Sequence, residues 1–324
     1  MRHRQQIQAL GAVTALVLAF SAAAQAPYPN RPIRFFVGFP PGGTNDIMAR
    51  VLSPKLSEFL GQSVIVENRG GANASIAADL VAHAAPDGYT IMIVAPGHAT
   101  NPALMKLPFD SLKDFAFITL AAESQNLLVV HPSFPPRSVK ELITFSKKQQ
   151  PGSINYGSSG TGTTVHLSAE LFQFMTGVKW LHIPYKGAGP AVIDLLAGRH
   201  VIYFGNVPTV ILQARSGRLR ALAVTGPKRT PAAPDIPTVA ETGIPGYEVT
   251  TAYGVAAPAK TPRPILDRLH AELIKVLNST DIRERLQGLG ADPVGNTPEQ
   301  YTVFMQNEIV KWTRVIHAAG IKGE

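Results

Sequence analysis

Short apolar runs alternate along this chain with stretches of helical periodicity. Residues 33–39 predict a strand, 46–60 a helix, 64–67 a strand, 75–84 a helix and 90–94 a strand. A β-α-β-α-β order implies a parallel sheet with covering helices. The strands are continuous apolar runs, as a sheet buried on both faces requires. The pattern restarts further on, with strands at 154–156, 180–183, 201–204 and 221–225 and helices at 164–176 and 190–197. The proline-rich stretch 228–237 reads as a loop.

Two longer apolar stretches, 115–130 and 249–257, fall where one half would end and the other begin, and they read as strands crossing between lobes. The tail predicts helices at 264–278, 282–289 and 298–319, with Ser279-Thr280-Asp281 and Asn296-Thr297 as caps. A chain that crosses over and back returns its tail to the first lobe. The expected division is 27–122 with 248–324 as lobe 1, and 123–247 as lobe 2. A core stops growing near about 250–300 residues, so two lobes suit a chain of this length.

The first 26 residues read as an export signal. Arg2, His3 and Arg4 are basic, residues 9–20 are an apolar run, and small residues follow up to Ala26. The run is shorter than the roughly 20 residues of a membrane span. Cleavage is expected after Ala24 or Ala26, which places the protein in the periplasm. The chain has no Cys, which removes disulfides, thiolate chemistry and Cys-ligated metals. The net charge of +8 falls to +6 without Arg2 and Arg4. These cations are scattered and accompany no nucleic-acid motif, so attraction of anionic solutes explains them better than nucleic acid does.

The sharpest local feature is Gly38-Phe39-Pro40-Pro41-Gly42-Gly43-Thr44-Asn45-Asp46, which leaves a buried strand and opens a helix. The glycines free the backbone, and Thr44 or Asn45 is a candidate cap. Free amides beside the positive end of a helix dipole suit a carboxylate or phosphate. Asp46 is most simply a capping or dipole partner. A second such loop is Gly157-Ser158-Ser159-Gly160-Thr161-Gly162-Thr163-Thr164, whose hydroxyls add donors. Two anion-binding helix starts, one per lobe, would face each other across a cleft. A third helix start, Pro184-Tyr185-Lys186-Gly187-Ala188-Gly189-Pro190, offers Lys186 as a cation.

Enzyme motifs fail one at a time. Gly160-Thr161-Gly162 lacks the third glycine of a dinucleotide loop, and no Gly-Lys-Ser/Thr completes a P-loop. Thr161 stands where a nucleophile elbow centred on Ser159 needs glycine. The nine His residues show no metal spacing. His98, His166 and His182 lie near the loops as packing or hydrogen-bonding residues, and His98 is also a candidate ligand contact. No catalytic set, metal site or cofactor is expected. A hydrolase or transferase using Ser158, Ser159 or a nearby Thr remains an alternative, as does a ligand-sensing subunit of a signalling system.

Taken together, these residues resemble the Bug family of extracytoplasmic receptors related to tripartite tricarboxylate transporters. The marks are Tyr28-Pro29-Asn30-Arg31-Pro32-Ile33, the first glycine loop, Val66-Glu67-Asn68-Arg69, Pro86-Asp87-Gly88-Tyr89-Thr90, residues 155–160 and 182–187, and Pro237-Thr238-Val239-Ala240-Glu241. The resemblance implies a two-lobed periplasmic-binding α/β fold of type II kind, with mixed, mostly parallel sheets joined by two crossing strands. It also implies small carboxylate ligands, a membrane permease as partner and a monomer. Residues 39–46 would hold one ligand carboxylate, partly through water. The loop matching 158–164 would close on the rest, and Gly205-Asn206-Val207-Pro208-Thr209 would be a third ligand-facing element. The candidate contacts are therefore Phe39, Pro40, Gly42, Gly43, Thr44, Asp46, His98, Ser158, Ser159, Thr161, Gly162, Thr163, Thr164, Lys186 and Asn206. Two departures from the family stand out. Gly205 replaces a common Asp, which should disfavour an amino-acid ligand. Asn73-Ala74-Ser75 replaces a more glycine-rich stretch.

Overall fold

The computed structural model describes residues 28–318, 320 and 321. The expected export signal lies outside the described residues. β1 (Ile33–Val37) is central to three parallel strands, pairing with β2 (Val64–Asn68) and β3 (Thr90–Val94). β9 (Thr250–Pro258) adds to β3 antiparallel and β4 (Phe115–Val130) adds to β9 antiparallel. The second sheet contains β5 (Asn155–Ser158), parallel to both β6 (Leu181–Pro184) and β7 (Ile202–Asn206). β7 and β8 (Arg220–Val224) each pair antiparallel with β4. β10 (Ala291–Pro293) also borders β4.

The 16 residues of β4 join the two sheets. Phe115 to Gln125 pair with β9, and Asn126 to Val130 pair with β7 and β8. Register shifts between Phe117 and Thr119 and between Leu120 and Ala122 bend the strand within the first sheet. The return crossing falls at Val249, whose amide donates to Thr225 O (2.8 Å) before Thr250 pairs with Gln125. These are the two crossing strands expected from the sequence.

Ten helices among the described residues cover the sheets. α1 (Thr44–Leu60), α2 (Ser75–Ala82) and α3 (Gly97–Leu104) follow β1, β2 and β3. α4 (Val139–Lys147), α5 (Thr164–Thr176), α6 (Ala188–Leu196) and α7 (Val207–Arg215) belong to the second sheet. α8 (Arg263–Asn278), α9 (Thr280–Gly288) and α10 (Pro298–Ala318) form the tail. α1 buries Met48, Val51, Leu52 and Leu56, the 3.6-residue stripe that its sequence shows. It stops at Gly61 in the left-handed conformation. α10 opens with Thr297 and Gln300 exchanging backbone-to-side-chain hydrogen bonds of 3.0 and 3.2 Å, a capping box. One apolar core runs under both sheets, from Phe36 and Met92 through Leu128 and Tyr156 to Trp312 and Ile316 of the last helix. α3, α4, α7 and β10 go beyond the sequence-based expectation. Pro102 inside α3 hides a helical segment behind a breaker residue, whereas Pro208 stands in the first turn of α7, where proline is favoured.

Candidate functional site

The first glycine loop is held by Asp46. Its carboxylate accepts from the amide of Gly42 (3.0 Å), from Arg50 Nε (2.9 Å) and from Asn68 Nδ2 (2.9 Å). Asn68 Nδ2 also donates to Phe39 O at 2.9 Å. Burial raises the Asp46 pKa, but the Arg50, Gly42 and Asn68 hydrogen bonds outweigh it and hold the acid below its usual range. Asp46 is thus occupied in bracing the loop. Gly42 turns the chain at φ +84. Gly43 is the N-cap of α1, in extended conformation and without a side-chain cap. This corrects the expectation that Thr44 or Asn45 caps the helix, for both lie inside its first turn. The first amides of α1 are left for another acceptor.

The second loop is braced from behind. Ser158 Oγ bonds His182 Nε2 at 2.6 Å and accepts from Gly160 N at 3.1 Å. His166 Nδ1 accepts from Gly162 N at 3.2 Å, and Thr163 caps α5 through His166 N at 3.4 Å. The His166 and His182 rings stack at 4.1 Å. Burial, with the charge of His182 as a second cause, lowers His166 to about 3, so it is neutral and a hydrogen-bond acceptor at ordinary pH. Ser158 and Gly162 therefore shape this loop from within, and Ser159, Thr163 and Thr164 present it to the cleft.

Between the two loops lies a narrow cavity of about 30 Å³, open to solvent at its mouth. The starts of five helices meet there: Gly43, Thr44 and Asn45 of α1, Pro96 and Gly97 of α3, Thr163 and Thr164 of α5, Ala188 of α6 and Asn206 of α7. Phe39, Asn73, Ser159, Thr251 and Tyr253 complete the wall, and no charged side chain is among these residues. Thr44 Oγ1, Asn45 Oδ1, Asn73 Oδ1 and the Tyr253 hydroxyl are buried in this wall without a well-formed hydrogen bond, the Tyr253 hydroxyl lying beside the Thr44 and Thr251 side chains. Burial pushes the Tyr253 hydroxyl above its usual range, so it stays a donor. Unpartnered buried polar atoms are unfavourable in an empty wall and favourable opposite a ligand. The wall therefore offers dipoles and donors to an anion without a counter-charge.

A polar network forms the cavity floor at the strand crossing. Asn206 Nδ2 donates to Asn126 Oδ1 (2.5 Å) and to Thr251 Oγ1 (3.2 Å). Asn126 Nδ2 donates to Thr164 O (3.1 Å) and Ser168 Oγ (2.8 Å), and the Thr164 and Thr251 hydroxyls bond at 2.9 Å. The rim is in contact. Thr100 Oγ1 donates to Gly162 O at 3.0 Å, and an added Cβ at Gly187 would stand 3.0 Å from Pro40 Cδ.

Phe39, Gly43, Thr44, Ser159, Thr163, Thr164 and Asn206 of the expected contacts thus converge on one cavity. Pro40 is at the rim, Gly42 and Asp46 brace the first loop, Ser158 and Gly162 brace the second, and Thr161 is half-buried outside the wall. Lys186 is exposed and outside the wall, so the expected cation is not supplied to the cavity. His98 is also outside it. Its Nε2 meets Ser111 O at 2.7 Å, it packs on Phe109, Phe115 and Phe117, and burial lowers it to about 4. At Gly205 an added Cβ would meet Val210 and the Tyr203 ring, on the strand face opposite Asn206. This packing leaves no room for a side chain at position 205, so no carboxylate is supplied from it.

Asn45, Asn73 and Ala188 stand out in the sequence without a ligand role, and Pro96, Gly97, Thr251 and Tyr253 join the wall from outside the expected contacts. The available signals were the polar stretch Glu123-Ser124-Gln125-Asn126 inside a long strand run, Thr250-Thr251 at the start of the return strand and Pro96-Gly97 directly after β3. Ala72, Asn73 and Ala74 all have positive φ (45, 49 and 71°). Three consecutive non-glycine residues of this kind are strained by roughly 1–2 kcal/mol each.

Sheets sharing a crossing strand, with helix starts turned into the gap between them, define a two-lobed periplasmic-binding receptor. The model of the tripartite tricarboxylate transporter family receptor matches residues 48–321, and the chain belongs to that family. Protein BugT of Bordetella pertussis is 38% identical over 298 residues, covering 91% of each chain. An R. palustris protein solved with adipate is 39% identical with a TM-score of 0.89, covering 92% of this chain and 100% of its own. MatC of Rhodopseudomonas palustris, solved with bound malate, is 32% identical with a TM-score of 0.84, covering 89% of this chain and 100% of its own. The family comprises periplasmic solute receptors rather than enzymes. No helix among the described residues is long and apolar enough to cross a membrane.

Proposed function

We propose that this protein is an exported, monomeric receptor that closes two lobes on a small organic carboxylate and presents it to the permease of a tripartite tricarboxylate-type transporter. The observation that carries the reading is the convergence of five helix starts on a cavity whose wall buries the Thr44 and Tyr253 hydroxyls without a well-formed hydrogen bond. The ligand contacts would be Phe39, Gly43, Thr44, Asn45, Asn73, Ser159, Thr163, Thr164, Asn206, Thr251 and Tyr253. Adipate and malate in structural relatives support a ligand with carboxylate groups. The lobes would be 27–122 with 248–324, and 123–247, after removal of a signal ending near Ala24 or Ala26.

Each hydrogen bond to a charged group contributes about 1.5–3 kcal/mol. Three or four of them give about 5–12 kcal/mol before the cost of ordering the acid, so micromolar affinity, about −8 kcal/mol, calls for bonds at the strong end of that range. Lobe closure would be a hinge motion at the β4 and β9 crossings, with the ligand shifting an open–closed equilibrium. A calorimetric screen of C3–C8 mono- and dicarboxylates is expected to find micromolar binding by at least one. Silence across that panel would overturn the reading.

A further inference from the structure

Asn73 is held in a left-handed conformation, at φ 49° and ψ 48°, with Ala72 and Ala74 also at positive φ. Asn tolerates that region better than other residues with a Cβ, and backbone strain of this kind gathers at ligand clamps. The orientation of the Asn73 amide follows from its neighbours. Asn101 Nδ2 donates to the carbonyls of Asn73 (3.0 Å) and Ala72 (3.5 Å), so Asn101 Oδ1 must face the other way, as an acceptor. Asn73 Nδ2 donates to that oxygen at 2.9 Å and to Thr100 Oγ1 at 3.2 Å. Asn73 Oδ1 is therefore left without a partner, beside Gly97 in the cavity wall, where Asn45 Oδ1 is the other such amide oxygen. Thr100 in turn donates to Gly162 O, so one chain of bonds runs from Asn73 across the cleft to the second loop.

A carboxylate brings acceptors only. It satisfies the Thr44 and Tyr253 hydroxyls and the helix amides, but it gives nothing to Asn73 Oδ1. We propose that Asn73 is the specificity-determining residue of the cleft: its Oδ1 accepts a hydrogen bond from a hydroxyl on the bound acid, while its Nδ2 steadies the Thr100 bridge that joins the lobes. This rests on the carboxylate-receptor reading and narrows the ligand to hydroxy acids. An acid without the hydroxyl leaves a buried acceptor unpaired and binds more weakly.

Calorimetry on matched pairs, malate against succinate and 2-hydroxyadipate against adipate, reads this directly. The hydroxylated member is expected to bind at least about ten-fold more tightly in one pair. Asn73→Gly, which suits the left-handed backbone, should bring that ratio to about one, on top of a common weakening of both members from the unsteadied Thr100 bridge. Thr100→Val should weaken both members by the same factor and keep the ratio. A ratio near one in both pairs for the unaltered protein, an unchanged ratio in Asn73→Gly, or a collapsed ratio in Thr100→Val would overturn the inference. If unsubstituted acids bind as tightly as hydroxylated ones, the receptor reading survives the loss of this inference. If neither these acids nor the wider panel binds, both fall.

Discussion

Tyr253 carries opposite consequences for stability and binding. Its hydroxyl is buried in the cavity wall beside the Thr44 and Thr251 side chains, without a well-formed hydrogen bond. Tyr253→Phe removes an unsatisfied polar group from the free protein, so the melting temperature should stay level or rise. The same change removes a donor to the ligand and should weaken binding about ten-fold or more. Thermal melts and calorimetry on the two proteins check both signs, and a fall in melting temperature with unchanged affinity would make Tyr253 a structural residue only. His98 and His166 make a second residue-scale prediction. Both are lowered by burial, to about 4 and about 3. Between pH 6.5 and those values the unfolded chain binds protons that the folded chain refuses. Their contribution is therefore complete above about pH 6.5 and is lost as pH falls toward 3. Urea unfolding at pH 7.5 and 4.5 should show lower stability at the acid value, each His contributing up to about 1.4 kcal/mol per pH unit. Equal stability at the two pH values would contradict the burial argument.

At the scale of elements, the two glycine turns differ in what they tolerate. Gly42 sits at φ +84, which a side chain resists, whereas Gly43 is extended and an added Cβ finds only Pro40 O, at 3.7 Å. Gly43→Val should fold with near-normal stability while its branched side chain enters the cavity and lowers affinity by about 100-fold or more. Circular dichroism melts with calorimetry test this, and retained affinity would show that α1 does not anchor the ligand. These two turns were legible in the sequence because a glycine cluster after a buried strand and before a helical stripe has few other uses. The starts of α3 and α7 were harder to read. Pro102 masks the periodicity of α3, and the strand ending in Asn206 runs into α7 without a glycine-rich loop. Lys186 was misplaced because sequence places a residue near a turn and leaves its side-chain direction open. Asn206, at the end of its strand, turns its side chain into the cavity.

At the scale of the whole molecule, β4 and the Val249 crossing join the sheets at the place where the cavity floor is most polar. Asn126, Thr225 and Thr251 lie there, and Thr225 Oγ1 donates to Val249 O at 2.7 Å. The two-lobed plan was legible from the repeated β-α-β pattern and the two long apolar runs. The floor network was not, because it is assembled by residues up to 125 positions apart in the chain. A hinge that carries the binding floor links occupancy to lobe closure directly: an acid that satisfies Thr44 and Tyr253 also rests on the strands that must bend. The most direct test is a crystal structure of the protein with the acid it binds most tightly. The account predicts a carboxylate oxygen within hydrogen-bond distance of the amides of Thr44 or Asn45, with the ligand enclosed between α1 and α5. A ligand seated elsewhere, or held in the cleft by Lys186 with those amides still bare, would contradict it.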